Sequence, residues 1–331
     1  MKNAIQTALS VCVVLVLLAL CAVLGFASPS EEQLATLKIL LAVCGGSAAY
    51  CFIAGEITKN YSQMDKLWSL LPVAYLWIIA VRGGMDARLT VYALIVTAWG
   101  ARLTFNFARK GAYRLRFWEG AEDYRWAIVR QSPVFRRGFL WTLFDLFFIS
   151  IYQNLLVLAI CLPALAASGS SAPFGISDWL AAALALGFLA LETAADAYQW
   201  RFYREKKRLL AAAARPEDLP APYSLGFNTR GPWAYMRHPN YLGEQGMWLS
   251  LCLFTVGAGA ARAGIFHIAF AGPLLLILLF IGSSALGEKI SSGKYPAYAD
   301  YQRQVCKYLP LRRFSPAGEP APEPVEADGA D

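Results

Sequence analysis

Long apolar runs constrain this chain more than any other feature. Residues 8–27 and 34–54 are nearly free of charge, and further runs occupy 67–81, 89–108, 138–162, 178–199, 242–258 and 263–284. A helix needs about 20 mostly apolar residues to cross a bilayer. The expected fold is therefore all-α: a polytopic membrane helix bundle of about eight transmembrane helices. Residues 67–81 are short for a span and are read as tilted or partly re-entrant. Hydrophobic residues make up 57% of the chain and charged residues 16%, too apolar a balance for an ordinary soluble domain.

The loops give an orientation. Residues 109–137 and 200–241 are rich in Arg and Lys, whereas 163–177 carries no charge and the loop near Ser30 carries only Glu31 and Glu32. Basic loops stay on the cytoplasmic side, so both termini are expected there. The net charge of +7 is thus a topological bias rather than a sign of nucleic-acid binding. The apolar run at 8–27 exceeds a usual signal-peptide core and is read as an uncleaved helix. Six of the seven cysteines fall in apolar runs and show no metal spacing, so no metal site is expected. Three regions follow: an N-terminal transmembrane hairpin (1–54), a larger membrane domain (55–312), and an acidic, Pro/Ala-rich tail (313–331) unable to bury a core.

Several motifs place polar chemistry beside these runs. In Gly231-Pro-Trp-Ala-Tyr-Met-Arg-His-Pro-Asn-Tyr-Leu-Gly-Glu244, Pro239 suits the first turn of a helix, with Arg237 and His238 just before it. A helix N-terminus flanked by cations suits a phosphate or pyrophosphate. Asn240 and Glu244, four residues apart, share a face. A plainer reading is a membrane helix with a basic entrance, which leaves those two polar residues unexplained.

Residues Asp65, Trp68, Pro72 and Tyr75 recur at helical spacing, either as an interfacial belt or as a face in which Asp65 and Tyr75 look into a cavity. Trp99, Arg102, Asn106 and Arg109 line one face of the next apolar segment, where Arg102 needs a partner unless it snorkels. The following Arg- and Trp-rich stretch, through Trp118 and Tyr124, looks like an amphipathic interfacial segment or a lid. Glu192, Asp196, Gln199, Tyr203 and Lys206 form a polar stripe whose adjacent carboxylates require a donor in reply. Past the last apolar run, expected to end near Ser284, lie Glu288 and a tyrosine-rich segment. Its Tyr298 and Tyr301 either stack on a purine or nicotinamide ring or sit at the interface.

Asp-Lys-Leu-Trp-Ser (65–69), Trp-Gly-Ala-Arg-Leu (99–103), Glu-Asp-Tyr-Arg-Trp (122–126), the Glu192/Asp196/Gln199 set and the motif ending at Glu244 together resemble a bacterial family catalogued as domain of unknown function 1295. That family is similar to the steroid 5-alpha-reductase group, with sterol reductases and, more distantly, isoprenylcysteine carboxyl methyltransferases. The resemblance spans about residues 50–312. It implies a membrane enzyme with an NADPH pocket on its cytoplasmic side. Asn240, Tyr241 and Glu244 would then contact the nicotinamide end or the phosphates, and Glu192 and Asp196 would face the cofactor. The C-terminal tyrosines and basic residues would hold the adenine ribose phosphate. Arg102, Asn106, Arg109, Gln199, Arg237, His238 and Glu288 complete the candidate cofactor contacts.

One departure is that Trp99 stands where the steroid reductases carry a tyrosine. The proton donor is then sought among Tyr75, Tyr124 and Tyr152, with Asp65 a further catalytic candidate. The expected activity is NADPH-dependent reduction of a conjugated double bond in a lipid-like substrate. The nicotinamide site is not a Rossmann one, because no Gly-x-Gly-x-x-Gly fingerprint is present. Methyl transfer from S-adenosylmethionine and non-catalytic lipid binding are the alternatives. The expected setting is the bilayer of a bacterial inner membrane, with no nucleic acid and no obligate protein partner.

Overall fold

A computed structural model describes residues 2–25, 27–212, 215, 218–261 and 266–315. Among them the chain is helical, with no β-strand. The elements are α1 (Lys2–Leu24), α2 (Glu31–Thr58), α3 (Gln63–Leu67), α4 (Leu71–Arg82), α5 (Ala87–Ala108) and α6 (Tyr124–Arg130). Then come α7 (Gly138–Phe144), a π-helix (Asp145–Tyr152), α8 (Gln153–Ala159), α9 (Leu162–Ala167) and α10 (Ile176–Leu210). The chain closes with α11 (Pro239–Leu251), α12 (Leu253–Gly257), α13 (Ala271–Lys294) and α14 (Tyr298–Gln304).

Five stretches are long and apolar enough to cross a membrane: Thr7–Leu24, Glu31–Thr58, Gly138–Ala167, Ile176–Leu210 and Ile268–Lys294. They define a multi-pass integral membrane protein. Of the other three expected spans, 89–108 is one unbroken helix, α5, and two are reshaped. A break at 68–70 leaves α4 with 12 residues, about 18 Å of helix, well short of a bilayer core. The expected 242–258 span breaks at Cys252, between α11 and α12. The last long helix runs to Lys294 rather than ending near Ser284. From residue 316 the expected acidic tail lies outside the described residues.

The chain divides into two compact units: 1–190 with 243–282, and 191–242 with 283–331. The first unit holds α1–α9 and a large apolar core that includes Leu40, Tyr75, Tyr92, Trp99, Ile149, Trp248 and Phe254. Its α2 opens on a capping box, in which Ser30 Oγ accepts from the Gln33 amide at 3.2 Å and the Gln33 side chain accepts from the Ser30 amide at 2.9 Å. Leu9, Val13, Val16 and Val23 on α1 point outward, as expected of a helix bathed in lipid.

Small residues allow close approach. A Cβ on Gly272 would lie 2.1 Å from the Ala159 carbonyl oxygen, so only glycine admits that contact between α13 and the end of α8. At the start of α5, Arg88 is buried and bonds Asp178 twice, at 2.7 and 2.9 Å. It also donates to the Pro173 and Gly257 carbonyls, tying α5, α10 and α12 together. In the π-helix, i→i+5 bonding brings Asp145 and Ser150 onto one face, where the Ser150 hydroxyl reaches Asp145 Oδ1 at 3.4 Å.

The second unit is smaller. Its core is aromatic: Phe227, Tyr298, Tyr301 and Phe314 close around Val305. Residues 231–234 form a short turn before α11, and Gly231 has φ 58°, with Tyr198 packed where a side chain would stand.

Candidate functional site

α11 starts at Pro239, as its fixed φ and missing donor favour. It carries Asn240 and Glu244 one turn apart. The surroundings of each belong to different units and are described in turn.

In the first unit, Glu244 is 5% exposed. Its Oε2 accepts from the Trp99 indole N–H at 3.3 Å, while Oε1 makes no hydrogen bond. Trp99 meets Trp248 edge-on, ring centres 5.2 Å apart, and the Trp248 N–H is likewise buried without a bond. A buried carboxylate oxygen and a buried indole N–H without partners are costly. Asn106 is buried on the same α5, with Arg102 and Arg109 half-buried and each engaged in interactions.

The three catalytic candidates separate by environment. Tyr75 is fully buried on α4 and its hydroxyl makes no hydrogen bond. Asp65 on α3 accepts from the Trp126 indole at 2.8 Å; burial pushes its carboxyl up from the usual range against the pull of Arg125. Tyr124 is 61% exposed, which removes it from any enclosed site. Beside Asp65, buried Lys66 donates to the Phe117 and Glu119 carbonyls at 2.8 and 2.7 Å, and burial lowers its pKa to about 8.

In the second unit, Asn240 donates to Asp196 at 3.4 Å, and the Asn240 carbonyl oxygen is buried without a donor. The donor required by the α10 stripe is thus supplied in part by α11. Glu192 is buried one turn earlier on α10, with Gln199 half-buried further along.

Arg237 and His238 take another role than the expected open anion site. Arg237 Nε donates to Glu288 at 2.8 Å, and its Nη1 donates to the Gln302 and Val305 carbonyls. His238 Nε2 meets the same Glu288 oxygen at 2.9 Å, and Gln302 donates to the other at 3.0 Å. An ionised carboxylate only accepts, so Nε2 of His238 carries the proton. Burial lowers the His238 pKa, opposed by Glu288 and aided by Lys307 and Arg237. Tyr241 stacks on His238, centres 5.2 Å apart.

Tyr298 and Tyr301 are corrected as well. Both are buried, and the Tyr301 hydroxyl donates to the Trp233 and Met236 carbonyls, so neither ring is offered to a cofactor. Their i, i+3 spacing serves an aromatic core.

Asn228, outside every motif singled out in the sequence, is 3% exposed. Its Oδ1 accepts from the Arg230 amide at 3.0 Å, and its Nδ2 is buried without an acceptor. Only its position just ahead of the Gly231 motif hints at this.

Helices of this length and apolarity, with polar groups buried beside them, define a multi-pass integral membrane protein. The chain belongs to the family described as Protein of unknown function (DUF1295), which it matches over residues 51–305. An uncharacterized protein of Schizosaccharomyces pombe is 38% identical over 277 residues, covering 78% of this chain and 77% of that protein. No solved structure matches the chain.

Proposed function

We propose that this protein is a membrane oxidoreductase of the wider steroid 5-alpha-reductase group, reducing a conjugated carbon–carbon double bond in a lipid with NADPH. The observation that carries the reading is the amide and carboxylate set along α11: Asn240, bonded to Asp196 yet with a buried carbonyl oxygen lacking a donor. A nicotinamide carboxamide offers the N–H that this oxygen lacks, and Asn228 Nδ2 offers a donor to a phosphate or ribose oxygen. The residues therefore fit the cofactor's polar groups. With Arg237 engaged by Glu288, exposed Arg230 and half-buried Lys307 are the better phosphate cations.

Bound NADPH supplies the hydride. With Trp99 unsuited to the task, Tyr75, a phenol with an exchangeable proton, is the donor to the enolate oxygen of the substrate in this reading. Trp99 orients Glu244 through its indole N–H. The reading takes α4, α5 and the α11–α12 pair as embedded beside the five spans, eight segments in all. Both termini are then cytoplasmic, in a bacterial inner membrane, on the strength of the Arg-rich loops.

Lipid extracts from a deletion strain test this. The proposal expects accumulation of a species two hydrogens lighter than its product, reversed by the wild-type gene and not by Tyr75→Phe. Unchanged lipids, or a missing methyl group instead, would overturn it.

A further inference from the structure

Residues 109–137 carry eight basic residues against three acidic ones. Arg114, Arg136 and Arg137 are exposed and form no ion pair among the described residues. The same segment exposes Leu115, Trp118, Tyr124, Ile128, Val134 and Phe139, with Phe139 at 71%. A water-facing loop rarely gathers so many large apolar groups. α6 has two apolar faces: Trp126 and Val129 pack on the core, while Tyr124 and Ile128, four residues apart, face outward. A helix apolar on its outer face and flanked by arginines has the composition of one lying in a bilayer interface.

Continuity with the membrane fixes the depth. The span Gly138–Ala167 begins one residue after Arg137, so Arg136 and Arg137 stand where the chain enters the hydrocarbon. Guanidinium groups at that level meet phosphates, and Trp118 and Tyr124 suit the same zone. We propose that the surface from Arg114 to Phe139 binds the anionic phospholipid headgroups of the leaflet this span enters. The arginines take the phosphates and the exposed apolar side chains sink into the acyl boundary. This seats α6, whose Trp126 holds Asp65. The inference stands apart from the reductase reading and needs only a membrane-embedded chain.

The test is delipidated full-length protein in neutral detergent, titrated with phosphatidylglycerol or phosphatidylcholine and counted by native mass spectrometry. The wild type should retain phosphatidylglycerol preferentially. The triple variant Arg114→Gln, Arg136→Gln, Arg137→Gln should lose about fivefold in association per charge removed, roughly a hundredfold in all. The matching triple Lys variant should keep the preference. Equal retention of the two lipids by wild type, or an undiminished preference in the Gln variant, overturns the proposal. So does displacement of the lipid by inorganic phosphate at matched concentration, which would mark a simple anion site. Should the Gln variant fail to fold, wild type in about 1 M salt, where screening acts within roughly 3 Å, must lose its preference; a preference that survives there is equally contrary.

Discussion

Glu288 carries more structure than its place behind an apolar run suggests. One carboxylate takes hydrogen bonds from Arg237, His238 and Gln302. Replacing it by Ala leaves a buried guanidinium uncompensated, at about 3–5 kcal/mol. Glu288→Ala should therefore melt well below wild type in detergent, followed by tryptophan fluorescence. His238 adds a pH signature. Its folded pKa lies below the unfolded value of 6.5, so the unfolded chain takes up the proton first as pH falls. Stability should drop below about pH 6.5 and continue to drop until the folded form is protonated too. The His238→Gln variant should show a flatter profile between pH 7 and 5; an identical profile would remove His238 as the cause. The sequence places Arg237 and His238 together but hides their partner, 51 and 50 residues on. That distance is why an internal ion pair reads as an open anion site.

Elements were legible where local chemistry decides them. Pro239 marks the start of α11, and the polar stripe of α10 does lie on one helix. The π-helix at Asp145 was not legible, because its bonding is set by packing rather than by residue spacing. The breaks at 68–70 and Cys252 likewise interrupt runs whose hydropathy is continuous. Two contacts between elements can be tested. Lys66→Met removes the donors that hold the carbonyls of Phe117 and Glu119. Trypsin cleavage after Arg114 and Arg116 should then quicken by about tenfold, the factor that 1.4 kcal/mol carries. Asp178→Ala strands buried Arg88 and should lower stability by about 3–5 kcal/mol, whereas Asp86→Ala, which removes only an N-cap, should cost about 1 kcal/mol.

At the scale of the molecule, the membrane class follows from apolar length alone, and the catalytic reading follows from a few buried polar groups that length cannot explain. Glu244 Oε1, the Tyr75 hydroxyl and the Asn240 carbonyl oxygen are buried without hydrogen bonds. Topology gives one test of the membrane side: in intact cells, cysteines introduced at Arg116 and Ser170, flanking the Gly138–Ala167 span, should label from opposite faces. The most direct measurement of the functional account is calorimetric titration of the purified protein with NADPH and, separately, with S-adenosylmethionine. The account predicts saturable NADPH binding that Asn240→Ala weakens and Tyr75→Phe leaves intact. Binding of S-adenosylmethionine alone, or NADPH binding indifferent to Asn240, would contradict it.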